Sequence, residues 1–111
     1  MTTLLFSHDS GLSHLTPPGH PERVDRLAAI NAALGAPAFA ALDRREAPLA
    51  GEAEVLRCHT ADYLAGVRAA RPGEGWTQLD PDTFLSPGSY EAALRAIGAA
   101  EAAVDAVLAG E

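Results

Sequence analysis

An α/β fold, rich in helix and short of strands, is what this sequence predicts. Three features point there. The apolar run Leu4-Leu5-Phe6 gives way at once to His8-Asp9-Ser10-Gly11, as a buried strand entering a loop does. Two stretches, one opened by Pro21 and one by Ser86-Pro87, carry apolar residues at helical spacing. The second is long and amphipathic, and in an α/β protein such a helix leads into a central parallel strand. With one evident strand ahead of it and a sheet that needs partners, residues 1–111 are expected to form a single incomplete domain.

Residues 10–19 are rich in Gly, Ser, Thr and Pro and read as a loop. Pro21 then opens a helix, where its missing N–H costs nothing, and Glu22 and Asp25 favour the helix dipole. Val24, Leu27, Ile30, Asn31 and Leu34 follow, and Gly35 ends the run. Residues 36–50 read as a loop with a short strand around 42–47, and residues 51–58 as a short helix. Thr60 caps a further helix carrying Tyr63, Leu64 and Val67. A turn at 71–75 leads to an irregular stretch, 76–85, that holds Asp80 and Asp82. In the last helix Ser86 is placed to cap and Pro87 to take the first position. Tyr90, Leu94, Ile97, Ala100, Val104 and Leu108 form its apolar stripe. Small residues flank the stripe and permit close approach, and Gly110 is placed to cap the end.

Composition narrows the function. Fifteen acids against eight bases, all arginine, leave a net charge of −7, which disfavours nucleic acid as a partner. No stretch approaches the roughly 18 apolar residues of a membrane span, and residues 1–7 lack the features of a signal peptide. Cys58 is the single cysteine, so no intramolecular disulfide forms, which fits a reducing cytoplasm. Without a His/Asn partner pattern it reads as a small buried residue, not a nucleophile. Gly73-Glu74-Gly75 lacks the rest of a phosphate-binding loop.

Three segments then carry a family likeness. His20-Pro21-Glu22-Arg23-Val24-Asp25-Arg26 resembles the H-P-E-x-x-x-R segment of bacterial class II-like histone deacetylases and acetoin-utilisation proteins, although Val24 stands where proline is frequent. Cys58-His59-Thr60-Ala61-Asp62-Tyr63-Leu64 resembles their V-H-T-x-x-Y-L segment. Residues 79–93 resemble D-x-D-T-x-x-S-P-G-S-Y-E-A-A. Each is weak alone; three in order over nearly the whole chain are specific together.

The resemblance implies the N-terminal third of an arginase/deacetylase-like domain, a three-layer fold in which helices flank a parallel sheet. It also implies a zinc-dependent amidohydrolase that removes acetyl groups from acetyl-lysine or acetylpolyamine-type substrates. In the family one zinc is held by an Asp-x-His pair and a later Asp. Two adjacent histidines serve as acid and base, and a tyrosine polarises the acetyl carbonyl. None of those residues is present here, so the chain alone is expected to be inactive and to hold no zinc. Two roles carry over: Arg26 matches the inner-channel arginine associated with acetate release, and Asp82, with Asp80 as its rival, matches the rim acid that holds substrate backbone amides.

Plainer readings stand beside these. Arg26 also suits a solvated helix arginine paired with Glu22 four residues back. Asp80 and Asp82 also suit turn positions, and one residue can serve as both. His8, His14 and His20 lack metal-site spacing and read as structural. The alternative to a deacetylase segment is a non-catalytic helical module that binds a partner, or dimerises, through its apolar helix face.

Overall fold

The computed structural model describes residues 2–111, so Met1 of the opening segment lies outside the described residues. The apolar run forms strand β1, Leu4–Ser7, which pairs in parallel with β2, Asp43–Glu46. Leu4 faces Asp43, Ser7 faces Glu46, and the Ala47 N–H extends the ladder to the Ser7 carbonyl at 2.9 Å. Parallel neighbours require a crossover, and helix α1, Val24–Leu34, lies within it. The strand predicted around 42–47 is therefore present, and the chain contains the βαβ unit of an α/β fold. With only two strands in this sheet, Leu4, Leu5 and Phe6 are half-buried, not buried as predicted. Strand β2 is charged throughout. Arg45 donates to Asp43 at 2.9 Å and to Glu111 at 2.5 Å, and its guanidinium lies 5.9 Å from the Phe6 ring centroid.

Helix α1 starts at Val24, three residues later than Pro21. The backbone of Glu22 is committed elsewhere: its N–H bonds to His20 Nδ1 at 3.0 Å and its carbonyl accepts from the Thr16 hydroxyl. Those bonds hold residues 20–22 in a turn. Helix α2, Glu52–Val55, is a single turn. It runs into an exposed segment, so Cys58 is exposed, contrary to the buried reading, because no element covers it. Helix α3, Ala61–Ala69, begins as expected, with Thr60 Oγ1 accepting from the Tyr63 N–H at 3.1 Å. The stretch predicted to be irregular is an antiparallel hairpin, β3 Thr77–Asp80 with β4 Thr83–Leu85, irregular only at Leu79.

Helix α4, Ser89–Leu108, starts after Gly88, so Ser86 is not its cap. The Ser86 side chain turns instead into the residue 13–15 loop. The C-terminus closes as predicted around Gly110, at φ +88°. Its N–H reaches the Val107 carbonyl at 3.1 Å, and the Glu111 N–H reaches that of Ala106 at 3.0 Å. The buried face differs from the predicted stripe. Ser89, Gly98 and Ala106 are buried, whereas Ala100, Val104 and Leu108 are exposed. Gly98 faces inward because residues 47–50 lie directly on the helix there. The Ala50 N–H bonds to the Leu94 carbonyl at 3.2 Å, and Arg95 donates to the Ala47 carbonyl at 2.9 Å. The core is correspondingly thin: Ala47, Ala50, Leu64, Leu85 and Ala106 are its buried apolar residues.

Candidate functional site

The N-terminal end of α1, the β3–β4 hairpin and the start of α4 converge on two adjoining clefts. One, of about 470 Å³, has an apolar wall that includes Leu27, Ile30, Phe84 and Ala92. The other, of about 450 Å³, includes Thr16, His20 and Asp82 in its lining. Arg26 and Glu22 line both. Arg26 Nη1 stands 3.3 Å from Glu22 Oε2, with both side chains more than half exposed, so the ion pair expected of a solvated arginine is present at the mouth of the clefts. Such a pair holds its partners weakly and leaves the guanidinium free to exchange partners.

The two aspartates at the hairpin tip separate clearly. Asp80 Oδ1 accepts the Asp82 N–H at 2.8 Å. That bond, followed by bonds from the Thr83 side chain and backbone, holds the Asp80 carboxyl below its ordinary pKa. Asp80 is thus the turn-former. The Asp82 carboxylate is 88% exposed and leans toward His20 Nε2 at 3.4 Å. Its backbone carbonyl accepts a hydrogen bond from the same nitrogen at 2.9 Å. Arg26 and Asp82 therefore share a cleft, and Asp80 does not line it.

A buried polar cluster adjoins the clefts through His14 and Ser89. Ser86 is fully buried; its hydroxyl donates to the Ser13 carbonyl at 3.0 Å and accepts the Leu15 N–H at 2.9 Å. Ser89 Oγ accepts the Ser86 N–H at 2.7 Å and shares a hydrogen with His14 Nδ1 across 2.6 Å. A Cβ on Gly88 would meet the Ser13 carbonyl oxygen at 2.5 Å. The Ser86-Pro87-Gly88-Ser89 segment thus clamps the residue 13–15 loop against α4. Sequence reasoning assigned Ser86 a helix cap because its partners lie more than 70 residues away. His14 and His20 were read only as structural. Each is hydrogen-bonded, and each also lines the polar cleft.

Beside α2, Tyr90 Oη donates to Glu52 Oε1 at 2.8 Å and Arg68 pairs with the same oxygen at 2.5 Å. The Tyr90 bond, ahead of Arg68, lowers the Glu52 pKa; burial, ahead of Glu52, raises that of Tyr90. This cluster ties α2, α3 and α4 together and lies outside the two clefts. Among the described residues no three His, Cys, Asp or Glu side chains gather in a way that would hold a metal ion, so these residues do not by themselves fit a zinc site. Nor is any helix among them long and apolar enough to cross a membrane.

Comparison with known proteins adds to this geometry. The family model for the histone deacetylase domain matches residues 20–111. A histone deacetylase-like amidohydrolase of Pseudomonas aeruginosa is 39% identical over 94 residues, covering 84% of this chain and 24% of that protein. An uncharacterized protein of Synechocystis sp. is 37% identical over 113 residues, covering 97% of this chain and 36% of that protein. The crystal structure of the HDA15 HD domain superposes with a TM-score of 0.77 at 24% sequence identity, covering 89% of this chain and 30% of that one. The chain thus spans about a quarter to a third of the length of the proteins it matches.

Proposed function

Because this chain belongs to the histone deacetylase domain family, we propose that it forms the N-terminal part of a zinc-dependent amidohydrolase domain, one that removes acetyl groups from acetyl-lysine or acetylpolyamine-type substrates. The observation that carries this reading is the shared cleft of Arg26 and Asp82, an arginine and a solvent-facing carboxylate on separate elements. The exposed Asp82 carboxylate accepts the backbone N–H groups of a peptide substrate and so fixes the acetylated side chain at the cleft. The Arg26 guanidinium, released from Glu22, attracts the acetate product. Zinc in such an enzyme would activate water and polarise the acetyl carbonyl, and no group of the described residues would hold it.

The test is to express the longest reading frame that carries the chain and follow acetate release from an acetyl-lysine peptide and from an acetylated diamine. Asp82→Asn is expected to raise KM for the peptide about tenfold, the worth of a charged hydrogen bond, with kcat within about twofold. The diamine has no backbone amides, and its KM should hardly move. Absence of turnover on both substrates, or a reading frame that closes at Glu111, overturns the proposal.

A second reading rests on one observation: Val104, Val107 and Leu108 are 58%, 70% and 80% exposed at the end of α4. In that reading the chain is a non-catalytic module that dimerises, or binds a partner, through this face.

A further inference from the structure

His20 ties the hairpin tip to the segment that leads into α1. Its Nε2 faces the Asp82 carbonyl oxygen at 2.9 Å. A carbonyl oxygen only accepts, so Nε2 carries the hydrogen. In the neutral ring Nδ1 is then bare, and it accepts the Glu22 N–H at 3.0 Å. The ring is held edge-on to Phe84, with centroids 5.4 Å apart and planes at 83°, and only 13% of the side chain is exposed. One imidazole thus bridges two backbone segments 60 residues apart. It fixes Glu22, the partner of Arg26, on one side and the backbone of Asp82 on the other. At the tip itself the Asp82 N–H is held by Asp80, so both backbone polar groups of Asp82 are bonded, while its largely exposed carboxylate stands 3.4 Å from the same His20 Nε2.

From this bridge we propose that His20 is a positioning residue. Its Nε2–H tautomer sets the place of the Asp82 carboxylate relative to Arg26, and so governs substrate affinity without touching substrate. The inference rests on the amidohydrolase reading above for its kinetic consequence, and on the bridge alone for its structural one.

The two bonds can be cut separately. In His20→Gln the side-chain amide can take the place of Nε2–H and keep the bond to Asp82. In His20→Asn the shorter amide can satisfy Glu22 but does not reach the hairpin. In the full-length product, His20→Asn is expected to raise KM for an acetyl-lysine peptide about fivefold to tenfold at nearly unchanged kcat, and His20→Gln to restore most of the loss. Imidazole 15N–1H correlation spectra of the wild type should show the hydrogen on Nε2. An active enzyme whose KM is the same in His20→Asn, or is raised equally in both variants, overturns the role of His20 and leaves the amidohydrolase reading standing. A ring that carries its hydrogen on Nδ1 overturns the bridge. An inactive wild type whose ring is protonated on Nε2 overturns the amidohydrolase reading and the kinetic role, and supports the bridge itself.

Discussion

Asp80 and Asp82 stand two residues apart on one turn, and their carboxylates have different surroundings: that of Asp80 is bonded within the turn and that of Asp82 is exposed. The Asp80 carboxylate is consumed by the turn, accepting from the Asp82 N–H and then from Thr83, and its pKa is lowered in consequence. A carboxyl whose folded pKa lies below its unfolded value contributes stability above the unfolded value. That contribution is lost as pH falls through the folded one. The hairpin tip is therefore expected to loosen at pH below the ordinary carboxylate range and to stay closed at neutral pH. A 13C titration should place the Asp80 carboxyl below its ordinary value, and exchange of the Asp82 amide should quicken, relative to its neighbours, over the same acidic interval. Asp80→Asn keeps the acceptor without the charge and should abolish that acid-linked change. Sequence reasoning held both aspartates open as rim acid or turn-former, since D-P-D-T suits either use. Which carboxylate the turn takes up depends on which one meets which N–H, and that is a property of the closed turn.

At the scale of elements, β1, β2 and the helix ends at Thr60 and Gly110 were legible because their signals are local, whereas the β3–β4 hairpin was not. A cap, a glycine or an apolar run acts within four residues. The boundaries that shifted did so through long-range partners: Thr16 and His20 remove Glu22 from α1, and the Ser13 and Leu15 backbone recruits Ser86 from the start of α4. The apolar stripe of α4 is covered only in its first half, with Ala100, Val104 and Leu108 exposed, while the close approach its small residues permit is made at Gly98. Hydrophobic periodicity marks where bulky residues recur, but the neighbour on this helix is a backbone, which requires small residues. Gly98 is the contact point: a Cβ there would overlap the Pro48 carbonyl and stand 2.8 Å from its carbon and 3.2 Å from the Ala50 nitrogen. Gly98→Ala therefore sets a gain in helix propensity of about 1 kcal/mol against backbone displacement, whose overpacking cost is about 1–3 kcal/mol. The colliding atoms are main chain and cannot rotate away, so the collision is expected to win. The thermal midpoint of the longest product carrying the chain should fall. Gly66→Ala, whose Cβ meets nothing within 4 Å, is the control and should leave the midpoint level or raise it.

At the scale of the whole molecule, the buried apolar set is small and the exposed one is large. The radius of gyration is 15.7 Å, with extents of 42 × 32 × 20 Å, where a compact domain of this length has about 13 Å. Two two-stranded sheets and a thin alanine-rich core leave Ile30, Val104, Val107 and Leu108 in solvent. Family membership was readable from three short motifs. An incomplete domain was expected from the long amphipathic helix with one evident strand ahead of it; which side chains stay exposed was not legible, because burial depends on the partners an element finds. These features set the expected behaviour of the 111-residue chain alone. It should bind an anilinonaphthalene dye and lose helix signal gradually on heating, since exposed apolar surface and few buried side chains do not support a cooperative transition. Replacing Val104, Val107 and Leu108 together by serine should reduce dye binding and leave the helix signal nearly unchanged. On the amidohydrolase reading, the same triple change in a longer product carrying this chain is expected to cost several kcal/mol, at about 1.5–3 kcal/mol for each buried apolar side chain, because that reading has the end of α4 covered by the rest of a domain. The dimerising-module reading expects the reverse: a sharp melt for the 111-residue chain, a monodisperse dimer by light scattering, and loss of that dimer in the triple variant. The two sets of results exclude each other, so one preparation of the short chain decides between them.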